Sequence, residues 1–97
     1  DFTKSATSIE RLIRGMNPWP SAYTFYQGKQ MKVWEAAVAG GCGKPGEVIA
    51  VTKNDVVVAC GEGALAFKSI QLEGKKRMET SAFLNGYTIE KGTILGK

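Results

Sequence analysis

One stretch commits this chain before any other. Ser5 to Met16 has the spacing of a helix, and the Asn17-Pro18-Trp19-Pro20 that follows cannot continue it. Ile9, Leu12, Ile13 and Met16 fall at i, i+3, i+4 and i+7, which predicts one apolar helical face. Ser5 is the expected N-cap, with Thr7 and Glu10 as an alternative capping box. Gly15 and Pro18 end the helix, and Asn17 is pushed out of the helical region by the proline after it. Two prolines then hold Trp19 in a stiff, extended corner, so its indole is expected to anchor against an apolar body.

Beyond the corner the pattern changes to short strands separated by turns. Strands are predicted over Ala22–Tyr26, Met31–Ala39, Glu47–Thr52, Asp55–Cys60 and Ala64–Leu72. Gln27-Gly28-Lys29 reads as a hairpin turn, with Gly28 at a positive φ. Lys53-Asn54-Asp55 and Gly61-Glu62-Gly63 read as further turns. In the second strand, Met31, Val33 and Glu35 share one face by alternation; Lys32, Trp34, Ala36 and Val38 share the other. Val56-Val57-Val58 is β-branched throughout, which predicts a central strand. In the last strand Leu65 and Phe67 share one parity and Ile70 and Leu72 the other, so a bulge is expected near Lys68-Ser69. A short helix over Thr80–Asn85 follows, with Gly86 at C′. Ala82, Phe83 and Tyr87 are expected to seal one end of the sheet, and the strand-like Gly92–Gly96 to close it. The expectation is one mainly β domain over residues 1–97: a small antiparallel barrel with an N-terminal helix packed on it and a short C-terminal helix.

The composition excludes several kinds of chemistry. There is no histidine, so no Ser-His or Cys-His nucleophile pair can form, and a zinc site would need an unusual ligand set. Cys42 and Cys60 are too far apart in sequence for a paired metal motif and are read as passive thiols. Gly40-Gly41-Cys42-Gly43-Lys44-Pro45-Gly46 is glycine-rich. Pro45 after Lys44 and the lack of a following helix make it a connection rather than a phosphate loop. No catalytic, cofactor or metal residue is expected in the chain. No apolar run approaches membrane-spanning length and no signal pattern opens the sequence, so a cytoplasmic location without membrane contact is expected. A start at Asp1 without methionine points to a fragment or a processed product. The net charge is +4, from 13 Lys and Arg against 9 Asp and Glu, which suits an anionic partner without requiring one.

Seven blocks in order carry a family resemblance: S-A-x-x-I-x-R-x-I-R-G-x-N-P-W-P-x-A-Y from Ser5, then K-V-W-E-A, P-G-E-V-I, G-E-G-A-L, G-K-K-R-M, F-L-N-G and G-T-x-L-G. Together they resemble the C-terminal domain of methionyl-tRNA formyltransferase, from Ser5 to Gly96. The related domain of 10-formyltetrahydrofolate dehydrogenase, a linking or structural unit with no RNA role, is the alternative. The Asn17–Pro20 corner and the Gly74–Met78 run look more like the tRNA enzyme. The resemblance implies that the parent moves a formyl group from 10-formyltetrahydrofolate to the methionyl amino group of initiator tRNA, in translation initiation. It places that chemistry in an N-terminal catalytic domain this chain lacks, implies for this domain a small open Greek-key barrel like an oligonucleotide-binding fold, and leaves it to hold and orient the tRNA. A third role, purely structural support of the catalytic domain, stays open. One departure is Glu79, where the family tends to have Ser, so the short helix is capped from Glu79 or Thr80.

The resemblance makes Lys75, Lys76 and Arg77 candidates for contact with tRNA phosphates; on charge alone they could equally be a solvated turn. Arg11 and Arg14, away from the apolar face, are further candidates, although Glu10 and Arg14 also form an i, i+4 ion pair. Trp19, Trp34, Tyr23 and Tyr26 could stack bases. Folded tRNA offers mainly helical surface, so Trp19 and Trp34 are assigned to the core.

Overall fold

A computed structural model describes residues 2–16 and 23–96 of the chain. The predicted corner Asn17–Pro20, and with it the anchoring of Trp19, lies outside the described residues, as does the side chain of Met16.

Helix α1 spans Ala6–Met16. It starts where expected: the Ser8 N–H donates to Ser5 Oγ at 3.2 Å, so Ser5 is the N-cap. The helix is tied to the barrel at that end, because the Ala6 N–H donates to the Glu62 carbonyl at 2.8 Å. Its buried stripe is Ala6, Ile9 and Ile13. Leu12, expected in that stripe, is 47% exposed. It sits about 100° round the helix from Ile13, at the margin of the contact, where it borders a hollow shared with Phe2 and Tyr23.

The strands are β1 (Tyr23–Tyr26), β2 (Lys29–Ala39), β3 (Val48–Val51), β4 (Val56–Ala59), β5 (Ala64–Leu72) and β6 (Met78–Glu79). All pair antiparallel in the order β1-β2-β5-β4-β3, with β6 added beside the C-terminal half of β5. β3, β4 and β5 form a meander, and the glycine-rich stretch from Gly40 to Gly46 carries the chain from β2 across to β3. That crossover lays β2 beside β5, the Greek-key arrangement. The β1–β2 turn puts both Gln27 (φ 52°) and Gly28 (φ 78°) in the left-handed region, the conformation whose twist matches the strands.

The expected bulge is present and is doubled. Val33 pairs with Ile70, Glu35 with Ser69 and Ala36 with Phe67, so Trp34 is extra in β2 and Lys68 is extra in β5. Lys68 turns outward and pairs with Asp55 at 2.8 Å. Leu65, Phe67, Ile70 and Leu72 can then all point inward. The carbonyl of Phe67, beside the bulge, accepts a hydrogen bond from buried Thr80 Oγ1 at 2.8 Å. This fixes the start of α2 (Thr80–Gly86). Glu79 is the N-cap residue but makes no side-chain cap bond. Phe83 is buried and stacks on Tyr87 with ring centroids 4.5 Å apart. Ala82, expected beside them, is exposed, because a helix this short presents one face to β5.

The C-terminal segment closes the curl. Val48 N–H donates to Thr93 O, Gly92 N–H to Val48 O and Leu95 N–H to Gly46 O, all at the outer edge of β3. Gly96 N–H then donates to Phe25 O on β1, at 2.8 Å. One segment thus spans both open edges. Inside the curl, Met31, Val48, Val56, Val58, Leu65, Phe67, Ile70 and Phe83 make the core.

Candidate nucleic-acid interface

The basic run follows the turn after β5. The Lys75 N–H donates to the Leu72 carbonyl at 2.9 Å, and Gln71 Nε2 donates to the Lys75 carbonyl at 3.0 Å. The loop is therefore pinned by its backbone, which leaves the Lys75 and Lys76 side chains exposed.

The other side of Gln71 makes the next link, since Trp34 Nε1 donates to Gln71 Oε1 at 3.0 Å. Trp34 is half-buried on the outer face of the sheet, not in the core as expected. Trp34 is the extra residue of the β2 bulge, and the guanidinium of Arg77 sits 4.6 Å from its ring centroid. Arg77 Nε donates to Ser69 Oγ at 3.0 Å, and its terminal nitrogen donates to Glu35 Oε1 at 2.9 Å. On the far side of Trp34 and Glu35, Arg14 of α1 borders a cleft of about 210 Å³ with Glu10, Ile13 and Ala36. Arg14 also makes the anticipated pair with Glu10, at 3.4 Å and well exposed.

Of the five cations singled out in the sequence, Arg77 lies against Trp34 and Arg14 borders a cleft that Trp34 also lines, while the Lys75 backbone is tied to Trp34 through Gln71 and Lys76 sits between Lys75 and Arg77 in the chain. Arg11 is exposed on the same helix but does not border the cleft. Lys32 lies directly across from Gln71 in the register and extends the cationic strip along β2. Among the described residues, Lys32, Lys75, Lys76 and Arg11 have no ion-pair partner. Such a face can neutralise backbone phosphates, with Trp34 and Gln71 setting its shape. Among the described residues no cluster of three or more acidic or cysteine side chains could hold a metal ion. Trp34 and Gln71 were not singled out as site residues from sequence. The available signal was parity, since Trp34 alternates onto the face of Lys32 and away from Met31 and Val33.

The fold is thus a small antiparallel Greek-key barrel with a cationic outer face. The chain belongs to the formyl transferase C-terminal domain family, whose profile matches residues 1–88. A methionyl-tRNA formyltransferase of Lachnospira eligens is 50% identical over 100% of this chain and 33% of its own length. One from Agathobacter rectalis is 53% identical over 97% of this chain and 31% of its own. One from Geobacter sulfurreducens is 43% identical over 100% and 31%. The chain therefore spans about a third of the curated relatives it matches. Among solved structures, HypX from Aquifex aeolicus in complex with tetrahydrofolic acid superposes with a TM-score of 0.72. At 19% identity, over 96% of this chain and 20% of that one, it shows a shared fold. No helix among the described residues is long and apolar enough to cross a membrane.

Proposed function

We propose that this chain holds and orients initiator tRNA for formyl transfer to its methionyl amino group, the reaction that prepares the tRNA for translation initiation. Formyl transfer from 10-formyltetrahydrofolate belongs to an N-terminal catalytic domain of the same parent, in the cytoplasm, and this chain alone is inactive. The observation that carries the reading is the cationic face gathered round Trp34, in a chain whose relatives are methionyl-tRNA formyltransferases. Contact is mainly with phosphates, through Lys75, Lys76 and Arg77, with Arg14 and Arg11 on the flank. Affinity is then set by shape and salt more than by base sequence.

Filter binding of the chain to initiator tRNA tests this. With roughly four phosphate contacts, affinity is expected to fall about a hundredfold between ~50 and ~200 mM salt. Lys75→Ala with Lys76→Ala should weaken binding and lower the salt slope by about two. Absence of binding at low salt would sink the proposal.

A further inference from the structure

We propose that Glu35 is a built-in stand-in for phosphate: it accepts from a terminal nitrogen of Arg77, and RNA engages Arg77 by exchanging that carboxylate for a backbone phosphate. This rests on the reading of the face as an RNA interface, and adds a residue that sets how selectively the face binds.

The placement of Glu35 is the first reason. By simple alternation Glu35 would share the inward face of Met31 and Val33, where an unpaired carboxylate could not be buried. The extra residue Trp34 shifts the phase and turns Glu35 out, into the middle of a cationic surface. A carboxylate there opposes any anionic partner unless it can be moved aside.

The way Arg77 is held is the second reason. Three groups fix it: the Trp34 ring against its plane, Ser69 Oγ on Nε, and Glu35 on a terminal nitrogen. The first two are neutral and sit on the protein side. Glu35 takes one terminal nitrogen, a donor that a phosphate oxygen could take in its place. Both partners are open to water, with side-chain exposures of 43% for Arg77 and 61% for Glu35. A pair this exposed is weakly held and readily exchanged. After exchange Arg77 is still aimed by Trp34 and Ser69. Loose anions then gain little from Arg77, and a phosphate delivered by a fitting RNA surface gains a pre-positioned cation.

The test is binding of the chain to initiator tRNA with Glu35→Gln, which keeps the shape and removes the charge. Glu62→Gln serves as control: it makes the same charge change beside the opposite end of β5. Glu35→Gln is expected to tighten binding about fivefold at ~100 mM salt with the salt slope little changed, because Arg77 meets one phosphate in either chain. The control should move affinity less than about 1.5-fold, since a remote charge is screened at that salt. In an Arg77→Gln background the gain from Glu35→Gln should vanish. If Glu35→Gln binds no tighter than the control while the unaltered chain binds tRNA, the stand-in role is overturned and the interface survives. If the unaltered chain does not bind at low salt, both fall.

Discussion

Gly61 shows how one residue can decide whether two parts of the chain meet. Its N–H donates to the Phe2 carbonyl at 2.7 Å and to the Lys4 carbonyl at 3.0 Å, and a Cβ there would run into the Thr3 carbonyl oxygen. The obstacle is backbone, so it cannot rotate away. Gly61→Ala is expected to cost about 2 kcal/mol, read as a fall of roughly 10 °C in melting temperature; an unchanged melt would refute the close approach. Its neighbour Cys60 acts through ionisation instead. It is buried while Cys42 is exposed, and desolvation pushes the Cys60 thiol pKa up. The unfolded thiol ionises near its ordinary value of about 8.5. Below that pH the contribution of the neutral, buried thiol is fully present. It is lost as pH rises from there through the raised folded value, because the unfolded chain sheds its proton first. Denaturant melts of the chain should therefore show stability falling above about pH 8.5, and Cys60→Ala should flatten that fall.

At the scale of elements, α1 was legible because it is written locally. The Ser5 cap, the 3.6-residue period and the Glu10–Arg14 pair need only neighbours in sequence. Ser5→Ala is expected to cost about 1 kcal/mol, whereas Thr7→Ala should be neutral or stabilising because Ala is the better helix former. Comparing the two thermal melts tells which cap operates. The β5 bulge was legible too, since the phase change between Phe67 and Ile70 can be counted in the sequence. Its partner in β2 was not. Trp34 is apolar enough for either face, and only the pairing of Glu35 with Ser69 reveals it as the extra residue. Leu12 shows the same limit from the helix side: periodicity marks a broad stripe, and the barrel chooses which edge of it to cover.

At the scale of the whole molecule, closure is the collective property. Segment 92–96 bonds to Gly46 and Val48 on one edge and to Phe25 on the other, and it buries Leu95. Ending the chain at Lys91 would uncover both strand edges. From one buried leucine and the lost backbone bonds, the cost is expected at about 4–6 kcal/mol. That is a large part of a small domain's stability. The truncated chain should lose its cooperative melt and tend to associate through the freed edges. A truncated chain that melts like the parent would show that the barrel closes without this segment. The cationic face is also a property of the assembled molecule, since Arg14 and Arg77 are 63 positions apart in sequence and each comes beside Trp34 only in the fold.

The helix and its cap, the phase change in β5, the turn at Gln27-Gly28 and the family are written in the residues themselves. Each of these depends on residues close together or on blocks in fixed order. The tertiary structure alone decided where the charges stand. The sequence sets Lys75, Lys76 and Arg77 in a row, and only the fold ties the Lys75 carbonyl to Gln71 and lays Arg77 on Trp34 while the two lysine side chains stay exposed. Glu35 could be read as an inward residue until an extra Trp34 turned it to face Arg77. The physical reason is register. Alternation fixes side chains only relative to their own strand, and a single extra residue, visible only in the pairing of distant strands, reverses which of them meet the solvent.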